Sequence, residues 1–272
     1  MFSDAHCHFR HLPYDAVEPT VRRLEKEGVE LALLAGVDVG SSEQEILNAK
    51  RFTTLKACIG IHPWNADLCT EAALQRLKEL SSQPQVVAIS EVGLDYFSRR
   101  NREKNEFENT HIDEKVQQTA FRQLLRLAKE VNLPVIIHDR TTSQEVLDIL
   151  QEEGTPQIGA AIHGFNKNRE YAKRCAEMGV YLSIGFGTLM PELFAVGSTR
   201  PLSRISVVSE REREALKETI RQTDLKWLFT DSDRAGDGIF AINEKIAEIK
   251  GLPKDEVSQA TTQNLKRFLR LP

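Results

Sequence analysis

Seven histidines occur in the chain, and five of them (His6, His8, His62, His138 and His163) close short apolar runs, leaving only His11 and His111 elsewhere. Glu91 and Asp231 close two further runs. Imidazoles and carboxylates gathered in this way form the donor set of a divalent-metal site. The first run reads Asp4-Ala5-His6-Cys7-His8. Strand alternation predicts Asp4, His6 and His8 on one face and Cys7 on the other. Both imidazoles then approach an ion from one side, while Cys7 packs among apolar groups. Glu91 has two oxygens and could bridge two ions; a helix N-cap or a buried ion pair is its other reading. His138 and His163 could complete a second ion site, and Asp231 could bind metal and accept a proton from an activated water. His62, followed by Pro63 and Trp64, reads as a phosphate contact, as an acid for a leaving group, or as a structural residue of the strand–turn junction. Asp95 reads as a structural loop residue.

The runs that must position these groups span residues 1–8, 31–37, 56–62, 86–91, 134–138, 158–163, 180–184 and 227–231. Their nearly continuous hydrophobicity suits strands buried on both faces of a parallel sheet. Between them lie segments of helical period. Residues 116–131 place Phe121, Leu124, Leu125 and Ala128 on one stripe. Ser42/Glu45 and Thr142/Glu145 have capping-box spacing. Gly28, Gly154, Gly179 and Gly251 each follow a helical run, where a C′ glycine is expected. Eight strands alternating with helices predict a (β/α)8 TIM barrel, one domain over residues 1–272, with the metal site at its C-terminal mouth. A doubly wound sheet is the rival but usually has fewer strands. Residues 98–114 and 191–209 read as loop insertions.

Composition narrows the function. The chain has 272 residues with 36 Lys+Arg against 40 Asp+Glu, a net charge of −4, so any attraction to a polyanion must be local. The longest apolar run, near residues 31–37, falls far short of the roughly 18 residues of a membrane span. The opening Met1-Phe2-Ser3-Asp4 lacks the pattern of a secretory signal. The 4 cysteines have no CxxC spacing, which points to a reducing cytoplasm rather than a disulfide framework.

The ordered motifs resemble the TatD-type metal-dependent deoxyribonucleases, a branch of the amidohydrolase-like barrels, nearly end to end. Asp4-Ala5-His6-Cys7-His8 is similar to the opening DxHxH, Gly60-Ile61-His62-Pro63 to the GxHP element and Glu91-Val92-Gly93-Leu94-Asp95-Tyr96 to the EiGLDy element. Residues 118–138, ending in Leu133-Pro134 through His138-Asp139-Arg140, resemble the family's helix and fifth strand, His163-Gly164-Phe165 the HxF element, and residues 245–250 with Thr261-Thr262-Gln263-Asn264 the closing helices. The resemblance implies metal ligands at His6, His8, Glu91, His138, His163 and Asp231. It also implies a 3′→5′ exonuclease favouring single-stranded DNA ends. The chain departs from the family where Glu-Thr-Asp, a small residue and Pro are usual: it has Phe229-Thr230-Asp231-Ser232-Asp233-Arg234.

Phosphodiester hydrolysis could then use two ions, one on His6, His8 and Asp231, the other on His138 and His163, with Glu91 between them. Four imidazoles favour zinc, manganese or iron, whereas the resemblance points to magnesium. Arg140, Lys167, Arg169 and Arg234 are candidate phosphate contacts. Arg99, Arg100, Arg102 and Lys104 read as a basic rim or a solvated loop. Trp64, Tyr96, Phe97 and Phe165 are candidate stacking platforms, with core packing equally open for Phe165. The rival functions are an amidohydrolase acting on a small ester, lactone or amide, and a non-catalytic metal-binding barrel within a multiprotein system. Many binuclear amidohydrolases bridge their ions with a carbamylated lysine. Residues 86–91 contain none, which favours the nuclease.

Overall fold

All eight apolar runs form parallel strands in the computed structural model, which describes residues 1–9, 12–96, 99–101, 106–108, 112–192 and 209–272. They are β1 (Phe2–Cys7), β2 (Val29–Ala35), β3 (Leu55–Ile59), β4 (Val86–Asp95), β7 (Val135–Arg140), β8 (Ala160–Ile162), β9 (Val180–Gly185) and β10 (Leu228–Asp231). Their order in the sheet is β1-β2-β3-β4-β7-β8-β9-β10. Two backbone bonds join the residues after β10 to the first strand: Asp233 N–H to the His6 carbonyl at 3.0 Å and His8 N–H to the Arg234 carbonyl at 2.9 Å. The result is a nearly closed TIM barrel, as the alternation of strands and helices predicts.

The helices used below are α2 (Val39–Ala49), α4 (Glu114–Glu130), α5 (Glu145–Glu152), α6 (Arg169–Met178) and the final helix, α10 (Lys254–Phe268). On α4 the stripe of Phe121, Leu124, Leu125 and Ala128 is buried as expected. Inside the barrel, Ala5, Leu33, Cys58, Ala88, Ile136, Ala161 and Phe229 form a core that continues into Leu265, Phe268 and Leu269 at the end of α10. Tyr181 stacks on Phe229 with ring centroids 4.7 Å apart and meets Phe268 edge-on at 5.7 Å. This aromatic plug fills the end of the barrel opposite the histidines.

Several local expectations are corrected. On β1 the pairing with β2 shifts between Asp4 and Cys7, so strict alternation fails: Ala5 faces the barrel interior while Cys7 joins the outer core. Asp38, not Ser42, caps α2, in a capping box with Ser41, and leaves Ser42 and Glu45 buried within the helix. Helix α5 follows Gln144, which makes no side-chain cap; the Glu145 N–H is accepted by Ser143 Oγ at 3.3 Å, and the Glu145 carboxylate accepts from Tyr96 and Gln118 rather than from Thr142. Strand β4 runs past Glu91 to Asp95. Within the first insertion, β5 (Arg99–Asn101) and β6 (Glu106–Glu108) pair antiparallel. His11, Phe97, Arg102, Lys104, His111 and residues 193–208 lie outside the described residues, and only the backbone of Arg99 and Arg100 is described. Among the described residues no helix is long and apolar enough to cross a membrane.

Candidate metal centre

At the mouth, Glu91 stands in the middle of five imidazoles. Its backbone has φ 56°, a left-handed conformation that non-glycine residues rarely adopt. The cause is a bulge: between Ile89 and Val92 the register of β4 against β7 shifts by a residue. Gly93 follows at φ 143°, where a Cβ would lie 2.0 Å from the His138 carbonyl oxygen, so only glycine allows the two strands to meet. The bulge turns the Glu91 carboxylate inward. Oε1 lies 3.0 Å from His6 Nε2 and 3.2 Å from His8 Nε2. Oε2 lies 3.4 Å from His163 Nε2, 3.5 Å from His138 Nδ1 and 3.8 Å from His62 Nε2.

The outer nitrogens fix how three of these rings face the centre. His8 Nδ1 lies 3.1 Å from the Ala35 carbonyl, which can only accept, so Nδ1 carries the proton. In the neutral ring Nε2 is then a lone pair turned toward Glu91 Oε1 and, at 3.2 Å, Asp233 Oδ1. His138 Nε2 is bonded to Asp95 Oδ2 at 3.0 Å, which turns Nδ1 toward Glu91 and toward His163 Nε2 at 3.2 Å. His62 is oriented the other way: its Nδ1 accepts the Trp64 N–H at 3.0 Å, so the neutral ring carries its proton on Nε2, facing the centre.

Burial and mutual charge shape the ionisation. Burial pushes His62 and His163 down to about 3, helped by neighbouring His138 and His6 respectively, so both are neutral at pH 7. For His138 burial is outweighed by bonds to Asp95 and Glu91, which raise it to about 9 in the ion-free protein. Burial opposes the charge on Glu91 too, yet His6, His163, His62 and the bond to His138 hold it well below the usual carboxylate range.

Asp231 is fully buried at the end of β10. Its Oδ2 accepts the Ser183 hydroxyl at 2.5 Å and the Gly164 N–H at 3.1 Å, while Oδ1 has no hydrogen-bond partner. Burial raises its carboxyl, against the pull of His6, Ser183 and Gly164. His6 Nδ1, His163 Nδ1 and Glu91 Oε2 are likewise buried without a hydrogen-bond partner. Polar atoms left unmatched inside a protein are costly. Their concentration among imidazole and carboxylate donors fits a site for divalent ions.

Two sets bring one ligand atom from each residue within 4.8 Å of one another: His6, His8, Glu91 and Asp233, and His62, Glu91 and His138. Asp231 and His163 lie outside both sets, although His163 Nε2 is 3.4 Å from Glu91 Oε2. Asp95 and Asp233 are the residues that the sequence reading did not place in the site. For Asp95 a signal existed: a glycine inside an apolar run, Gly93, marks a bulge or close approach. A strand continued past it carries Asp95 to the mouth.

The expected phosphate contacts are more scattered. Arg140 donates to the carbonyls of Asp139 and Gly164. Lys167 is held 2.9 Å from Asp139 Oδ1 and donates to the Thr141 carbonyl. Arg169 is exposed as the first residue of α6. Arg234 is half-buried beside β1, adjoining Asp233. Of the aromatic candidates, Phe165 is buried in the outer core. Trp64 packs edge-on against His62 at 4.9 Å, and Tyr96 is half-buried at the mouth.

The family profile described as TatD related DNase matches residues 3–270. The metal-dependent hydrolase YabD of Bacillus subtilis is 33% identical over 100% of both chains. A protein named 3′-5′ ssDNA/RNA exonuclease TatD, from Shigella flexneri, is 31% identical over 61% of this chain and 60% of its own. Among solved structures, the TatD homologue YjjV of Escherichia coli K12 superimposes with a TM-score of 0.79 at 22% identity, covering 100% of this chain and 98% of that one.

Proposed function

The chain belongs to the TatD-related DNases, a family of metal-dependent hydrolases, and from that premise we propose that it cleaves phosphodiester bonds of DNA as a 3′→5′ exonuclease acting on single-stranded ends. The supporting observation is the posture of Glu91. One oxygen faces His6 and His8, the other His138 and His163. A carboxylate between two pairs of imidazoles suits two divalent ions, one held by His6, His8 and Asp231, the other by His138 and His163, with Glu91 bridging. Magnesium, manganese or zinc held there would supply charge neutralisation on the phosphoryl oxygens and a more acidic water.

The protein groups divide the remaining work. Asp231 is pinned through Oδ2, so Oδ1 is the atom that orients the attacking water and takes its proton. His62 stays neutral with Nε2–H inward, and so serves as a hydrogen-bond donor to a phosphoryl or leaving oxygen rather than as a metal ligand. Arg140, Arg234, Lys167 and Arg169 are the phosphate contacts of this reading, and Trp64 and Tyr96 offer faces for terminal bases. Four free cysteines agree with a reducing cytoplasm.

The test is digestion of end-labelled single- and double-stranded oligonucleotides with magnesium, manganese or zinc. Shortening from the 3′ end of single strands, abolished by combined His6→Ala and His8→Ala, is expected. Turnover of an ester, lactone or amide with no cleavage of any oligonucleotide would replace this reading with the small-molecule hydrolase.

A further inference from the structure

Asp233 lies two residues beyond Asp231 at the mouth, and its place in the fold is specific. Its N–H is bonded to the His6 carbonyl at 3.0 Å, and its backbone is left-handed at φ 52°. That conformation aims Oδ1 at the nitrogens that also face Glu91: 3.2 Å from His8 Nε2 and 4.0 Å from His6 Nε2. His8 bonds the Ala35 carbonyl through Nδ1, so Nε2 is the nitrogen turned toward both Glu91 and Asp233. Two carboxylates therefore converge on one imidazole nitrogen. With His6 they bring one ligand atom each within 4.8 Å of one another, a spacing that suits a shared divalent ion. The Asp233 side chain is 42% exposed, whereas that of Glu91 is 4% exposed. Asp233 thus approaches this position from the open side of the mouth.

We propose that Asp233 is an additional ligand to the ion held by His6 and His8, giving that site a third carboxylate beside Asp231 and Glu91. The inference rests on the metal-centre reading above and deepens it. An added anionic oxygen raises affinity for divalent cations at that position and shifts its preference further toward manganese or magnesium.

Manganese titration of the ion-free full chain, followed by calorimetry and electron paramagnetic resonance, tests it in three forms: wild type, Asp233→Asn, and combined His6→Ala and His8→Ala. Asparagine preserves the side-chain shape and tolerates left-handed backbone, and a circular dichroism melt checks that the variant is folded. Asp233→Asn is expected to weaken one manganese site by about fivefold or more, with an altered resonance spectrum. The double histidine variant is expected to lose that site. If the double variant loses a site while Asp233→Asn weakens neither by as much as about fivefold, Asp233 serves only as an ion-pair partner of His8 and the proposal falls alone. If the double variant retains full stoichiometry, the metal-centre reading falls and the proposal with it.

Discussion

Asp95 Oδ2 and His138 Nε2 lie 3.0 Å apart, both buried, at the ends of adjacent strands. The bond decides which nitrogen of His138 faces Glu91, so Asp95 is a positioning residue for the proposed centre. Removing such an outer partner typically weakens metal affinity by about 10–100-fold. Asp95→Ala should weaken the His138 ion site to that extent in a manganese titration and leave the His6/His8 site nearly unchanged. Equal affinity at both sites in variant and wild type would reduce Asp95 to a packing residue.

Taken together, His62, His163 and His138 favour the ion-free fold most near pH 6.5. His62 and His163 are lowered from 6.5 to about 3, so the stability that they contribute as neutral groups is present above pH 6.5 and is lost as pH falls toward 3. His138 is raised from 6.5 to about 9, so its contribution is present below pH 6.5 and is lost as pH rises through 9. Thermal midpoints measured in chelator from pH 4 to 10 should show both histidine effects, with Asp4, raised by burial to about 8, adding to the loss on the alkaline side. Asp95→Ala should flatten only the alkaline limb. A midpoint unchanged between pH 7 and 9 contradicts the role assigned to the Asp95–His138 bond.

Gly93→Ala is expected to be severe. The added methyl would stand 2.0 Å from the His138 carbonyl oxygen, at a φ that side chains rarely adopt. Separation of β4 from β7 is the only relief, at a cost of about 4 kcal/mol or more. Urea denaturation should show that loss or a failure to fold. A change below about 1 kcal/mol would mean that the strands yield easily there.

Phe229 is 1% exposed and stacked on Tyr181, below Asp231 in the barrel. Phe229→Ala should cost about 3–5 kcal/mol in urea denaturation. Phe229→Glu should cost more, since it buries an unpaired charge in the aromatic plug. A stable glutamate variant would show that a polar partner already awaits it.

The barrel was legible because each strand is a short, nearly unbroken apolar run, and His6, His8, Glu91, His138, His163 and Asp231 each sit where such a run stops. What sequence spacing did not carry was irregular backbone. Simple alternation broke on β1, where a register shift separates Ala5 from Cys7. It also missed the bulge that turns Glu91 and prolongs β4 to Asp95. In the sequence Asp233 is only a departure from the family pattern, because its left-handed φ, not its spacing, aims it at His8. Competing side-chain bonds explain the caps: Asp38 outbids Ser42 for α2, and Glu145 is drawn off by Tyr96.

The bonds from Asp233 to His6 and from His8 to Arg234 join opposite ends of the polypeptide. Such long-range pairings cost the most loop entropy and tend to form late in folding. An intermediate with β1 docked on β2 but the barrel still open between β1 and β10 holds Asp231 and Asp233 apart from His6 and His8. The chemistry proposed for the mouth is thereby withheld from half-formed chains, and an ion that grips both sides of that junction would act as the clasp that makes the final step hard to reverse.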